Sequence, residues 1–148
     1  IAIKAAKTSG KLLLENKNHL NKETSSNSKD VKLEADVSSE NLIKEIINSS
    51  SEYPILAEES GKSHADLGEL FWVIDPLDGT ANYNRAIPIC CVSIGLIHKM
   101  KPIAGVIYDF NNDPGSQSNI LTKGANGIEW TAAGAVTAGA GGTIYQVQ

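Results

Sequence analysis

Residues 72–82 read WVIDPLDGTAN, and no other stretch constrains the chain as strongly. An apolar run suited to a buried strand reaches a carboxylate at Asp75, bends at Pro76, meets a second carboxylate at Asp78 and closes with Gly79 and Thr80. Carboxylates this close repel each other unless a cation lies between them or one keeps its proton. A strand that ends this way needs a fold that puts the charge to use.

The flanking segments predict the rest of that fold. IAIKAAKTSGKLLLEN places Ile1, Ala5, Ala6, Leu12 and Leu13 along a helical face, loosened near Gly10. Residues 17–30 turn polar and read as a mobile surface loop, where His19, like His64 further on, faces solvent. After VKLEAD, Ser38 or Ser39 caps a second helix striped by Leu42, Ile43, Ile46 and Ile47. PILA is a short strand running into Glu58 and Glu59, and FWVID is a second strand ending at Asp75. A turn and short helix follow over DPLDGTANYNRAIP; ICCVSIGLIHK and KPIAGVIYDF then form two strands joined around Lys99 to Pro102. Helices mixed with antiparallel strands predict an α+β layered fold. The last third lacks clear periodicity, and its Gly/Ala-rich tract reads either as a linker or, through Ala132, Ala133, Ala135 and Val136, as a tightly packed helix.

Composition narrows the function. The chain has 148 residues, 41% hydrophobic and 20% charged, which suits one ordinary globular domain. A net charge of -4 offers no basic footprint for a nucleic-acid polymer. Phosphate would have to be handled by backbone amides or metal ions instead of a lysine field. Cys90 and Cys91 are adjacent, in neither zinc nor disulfide spacing, and read as small core residues in a reducing cytoplasm. No run approaches the roughly 18 apolar residues of a membrane span.

Three acidic positions stand out: Asp36, the Glu58–Glu59 pair, and Asp75 with Asp78. Two of them follow strands and so can converge along one rim of a sheet. Hard divalent ions take oxygen ligands, and magnesium shares carboxylates with substrate phosphate and water. Glu58, Asp75 and Asp78, with the Leu77 carbonyl, suit a two-metal cluster. Pro76 fixes the bend, Gly79 lets backbone approach closely, and the residues after it can begin a helix whose free N–H groups accept phosphate.

WVIDPLDGTAN together with AEESG resembles the inositol monophosphatase family of magnesium-dependent, lithium-sensitive sugar-phosphate phosphatases. That resemblance implies the layered sandwich shared with fructose-1,6-bisphosphatases and Mg2+ as cofactor. It makes Glu58, Asp75, the Leu77 carbonyl and Asp78 metal ligands, with Glu59 alongside. Thr80, paired with Asp36, would help Glu58 orient and deprotonate the attacking water. Asp78, Gly79 and Thr80 would meet the substrate phosphate. The implied activity is hydrolysis of a small sugar or inositol phosphate in the cytoplasm, away from membranes and nucleic acid, in a chain that can pair as a homodimer. A 3'-phosphoadenosine 5'-phosphate nucleotidase or a fructose-1,6-bisphosphatase carries the same metal motifs. A noncatalytic metal- or phosphate-binding relative is the alternative from another class.

The pattern also breaks. The family's closing W-D-x-A-A-G reads Trp130-Thr131-Ala132-Ala133-Gly134 here, without the aspartate. The stretch between Tyr108 and Trp130 is too short for the second α/β portion that family members carry. Residues 1–110 therefore read as a metal-binding α+β portion and residues 111–148 as the remnant of a C-terminal α/β portion, either in a genuinely shortened relative or, the favoured reading, as fragments of a longer chain joined together.

Overall fold

The computed structural model describes residues 1–26, 31–111, 119–124 and 127–132. Helix α1, Ala2–Glu15, runs without interruption through Gly10. The expected loosening there is absent because Gly10 serves close packing instead. A Cβ on it would lie 2.4 Å from the Tyr108 ring and 2.8 Å from Phe110 Cβ. The polar stretch expected as a loop is partly ordered: a short helix α2, Lys17–Leu20, leads to strand β1, Glu23–Ser26, which pairs antiparallel with β2, Val31–Leu33. His19 and His64 are exposed, as expected.

Helix α3, Glu34–Asn48, begins before the serines expected to cap it. Leu33 is the extended N-cap residue, and the Asp36 carboxylate in the first turn accepts its N–H at 2.7 Å. An acidic side chain there satisfies an orphan donor and complements the helix dipole, which explains the early start. Ile43 and Ile47 are fully buried, with Ile46 packed beside them.

Next come β3 (Ile55–Ala57), β4 (Gly61–Lys62), β5 (Leu70–Asp78), helix α4 (Thr80–Asn84), β6 (Cys91–His98), β7 (Lys101–Tyr108), β8 (Asn119–Gly124) and β9 (Gly127–Ala132). They form one mixed sheet in the order β4-β3-β5-β6-β7-β8-β9, where only β3 and β5 run parallel. The β6–β7 hairpin turns at Lys99 and Met100, both at positive φ, the geometry that matches strand twist. Trp130, Thr131 and Ala132 sit in β9, so Ala132 is in a strand; the remainder of the Gly/Ala-rich tract, from Ala133 on, lies outside the described residues.

The core lies between the sheet and helices α1 and α3. Ala5, Ala6 and Leu13 of α1 and Ala35, Ile43 and Ile47 of α3 meet Trp72, Ile74, Val92, Ile94, Val106 and Tyr108. Tyr83 of α4 is fully buried, donates to the Leu13 carbonyl at 2.7 Å and meets the Phe110 ring edge-on. Burial pushes its phenol to about 12, so it remains a donor at neutral pH. Cys90 is buried as expected, whereas Cys91 is only partly so. Among the described residues no helix is long and apolar enough to cross a membrane.

Candidate active site

Strand β5 does not stop at Asp75 but runs to Asp78 through a bulge. Asp75 pairs with Ser93 and Asp78 with Cys91, so three steps along β5 match two along β6. In a regular strand, residues three apart face opposite sides. The extra residue restores the parity: Ser93 and Cys91 share a face of β6, and so do the aspartates opposite them. Pro76 is tolerated because it lies in the irregular segment, where no ladder donor is needed.

The parallel neighbour brings the second acidic element. Glu58 follows β3 and its N–H bonds the Ile74 carbonyl at 3.1 Å, so its side chain emerges beside Asp75. Asp75 is pushed up to about 7, first by burial, then by the Glu58 charge, a hydrogen bond to Glu58 and the Asp78 charge. The Leu77 N–H, 3.2 Å from Asp75 Oδ1, opposes the shift. Among the described residues no three His, Cys, Asp or Glu side chains are grouped closely enough to hold a metal ion. The donors are nonetheless of the right kind: oxygen ligands crowded into mutual repulsion suit a hard divalent cation, which completes its shell with water and substrate.

Asp36 reaches the same turn from behind. It is 2% exposed, and while Oδ2 accepts from Leu33, Oδ1 accepts from Thr80 Oγ1 at 2.8 Å. Thr80 Oγ1 also lies 3.0 Å from the Leu77 carbonyl. Burial raises Asp36 to about 6, against the pull of its hydrogen bonds. Glu59 turns aside: its carboxylate pairs with Lys32 Nζ at 2.8 Å. Gly79, at φ 89, opens α4. A Cβ there would stand 2.7 Å from the Ile89 carbonyl, so the close approach expected at this glycine comes from the protein's own loop. Beside it a cleft of about 400 Å³ is lined by Asp78, Gly79, Asn82, Ile89, Cys91 and Asp109, among others. Cys91 Sγ stands 3.8 Å from Asp78 Oδ2, and its thiol is pushed to about 12, by burial first and then by Asp78 and Asp75.

Ser9 and Glu40 escaped the sequence reading, and Ser39, expected as a possible helix cap, bonds elsewhere. Ser39 Oγ donates to the Pro76 carbonyl at 2.7 Å, Ser9 Oγ meets Ser39 Oγ at 2.5 Å, and Glu40 Oε2 accepts the Glu59 N–H at 2.8 Å. All three are buried. Polar residues at helical spacing on an otherwise apolar face were the available signal.

A mixed sheet backed by two helices, with acidic strand ends gathered at one rim, makes a layered α+β fold. The chain belongs to the inositol monophosphatase family, whose sequence pattern matches residues 1–128. Inositol-1-monophosphatase of Synechocystis is 44% identical over 81 residues, covering 54% of this chain and 28% of that protein. The solved inositol monophosphatase of Anabaena superposes with a TM-score of 0.66 at 37% identity, over 87% of this chain and 44% of that one. An IMPase/NADP phosphatase structure complexed with Mg2+ and phosphate shares the fold at 20% identity, with a TM-score of 0.68 over 84% of this chain and 46% of that one. The chain thus spans less than half the length of each of these proteins.

Proposed function

We propose that this chain carries the metal-binding half of a phosphatase site that hydrolyses a small sugar or inositol phosphate with Mg2+, in the cytoplasm. The observation that carries the reading is the forced proximity of Glu58 and Asp75, with Asp78 turned to the same face by the bulge. Glu58, Asp75, Asp78 and the Leu77 carbonyl would hold Mg2+. When bound, the ion acidifies water, offsets phosphate charge and stabilises the departing alkoxide.

The chain's own groups then do the positioning. Thr80 Oγ1 has one proton, and the shorter, charge-assisted bond to Asp36 takes it. Its lone pairs are left to accept from a water, and the Leu77 carbonyl keeps its own lone pairs for a cation. Glu58 accepts the second water proton as the oxygen attacks phosphorus and the ester bond to the alcohol breaks. Gly79 and Thr80 amides receive the phosphate oxygens, and the adjoining cleft receives the alcohol.

Phosphate release from inositol 1-phosphate that requires Mg2+ and disappears in Asp75→Asn is the expected result. Preference for 3'-phosphoadenosine 5'-phosphate or fructose 1,6-bisphosphate in a substrate panel would move the assignment within the superfamily. Mg2+ binding without hydrolysis of any phosphomonoester would leave a noncatalytic relative.

A further inference from the structure

Helix α3 touches both acid-bearing turns at once. Asp36, Ser39 and Glu40 lie on one face of its first two turns, at 2%, 0% and 2% exposure. Ser39 bonds the carbonyl of Pro76, inside the bulge between Asp75 and Asp78; Glu40 bonds the N–H of the peptide that joins Glu58 to Glu59. Because the Ser39 proton goes to Pro76, Ser9 of α1 must be the donor in the Ser9–Ser39 contact. That fixes the Ser39 hydroxyl in the rotamer that meets the bulge. The other carboxylate oxygen of Glu40 lies 3.6 Å from Lys44 Nζ.

We infer that Ser39 and Glu40 are positioning residues that set the separation of the Glu58 turn from the Asp75–Asp78 bulge, and so the affinity of the site for a divalent cation. Glu58 and Asp75 repel whenever both are charged; the Glu58 N–H bond to the Ile74 carbonyl ties the two elements at the start of the turns but reaches neither Pro76 nor the Glu59 N–H. A rigid helix bonded to the backbone of each turn opposes their parting beyond that point. Groups that orient ligands without touching the ion typically control its affinity by about 10–100-fold. The inference rests on the metal reading above, and its test separates the two.

Titration with Mn2+ followed by paramagnetic resonance measures affinity without turnover. Ser39→Ala and Glu40→Leu are expected to weaken Mn2+ binding by about tenfold. Glu40→Gln keeps an acceptor for the Glu59 N–H and should stay within about threefold of the parent. Ile47→Val, a core trim in the last turn of the same helix, controls for stability and should leave affinity unchanged. Ser39→Ala and Glu40→Leu binding as tightly as Ile47→Val would overturn the inference. Should the parent chain bind no Mn2+, the metal reading fails, and amide exchange decides the positioning role alone. Faster exchange of the Leu77 N–H in Ser39→Ala and of the Glu58 N–H in Glu40→Leu supports it; unchanged protection at both amides rejects it.

Discussion

Asp36, buried, and Asp75, half-buried, are both carboxyls raised above their ordinary range, to about 6 and about 7, yet their surroundings differ in kind. Asp36 sits on the helical side, where Leu33 and Thr80 each supply a hydrogen bond that favours its charged form. Asp75 sits on the open rim, where its nearest ionisable neighbours are two more carboxyls. One acid is satisfied from within the protein. The other faces like charge, which under the proposed metal reading would make it the ligand and Asp36 the orienting group.

That contrast can be broken in stages. Asp75→Asn removes a rim charge and should lower Mg2+ affinity by about 100-fold or more, read by calorimetry, with activity lost alongside. Thr80→Val keeps the shape but empties the link to Asp36. It should lower kcat by roughly 100-fold while Mg2+ affinity changes little, and an equal loss of both would erase the distinction between the halves. Gly10→Ala strikes the helical side alone, forcing a methyl into Tyr108 and Phe110; urea unfolding should report a loss of about 1–3 kcal/mol.

Without metal, pH tests both acids together. Their folded pKa values lie above the 3.8 of the free side chain, so between about pH 4 and pH 7 the folded chain holds more protons than the unfolded one. Stability is therefore greatest at the acid end of that window and falls as pH rises through it, and Asp75→Asn should flatten the decline measured by thermal unfolding. The smallest effect belongs to Lys32→Ala, which frees Glu59 at the edge of the site. It should cost less than about 1 kcal/mol in the same assay, since Lys32 is partly exposed.

Much of this was legible in the sequence. Strands β3, β5, β6 and β7, the second helix and the Asp36–Thr80 pairing all followed from residue patterns and from the resemblance they supported, whereas β1, lying in a stretch read as a loop, did not. The errors share a cause. Gly10, read as a flaw in a helix, and Ser39, read as a cap, are defined by what packs against them, and those partners lie far away in the chain. The expected stop of β5 at Asp75 failed likewise, because a bulge exists only relative to the neighbouring strand.

By itself the sequence determined which chemistry was available: oxygen donors in a Pro- and Gly-shaped turn, next to an acidic strand end, with no basic field to bind phosphate instead. Only the tertiary structure decided how those donors face one another. An aspartate spacing of three points to opposite faces in an isolated strand, and pairing with β6 inserts the residue that turns both to one side. Glu58 comes beside that pair through the β3–β5 pairing, and helix α3 is bonded to the turn that follows each strand.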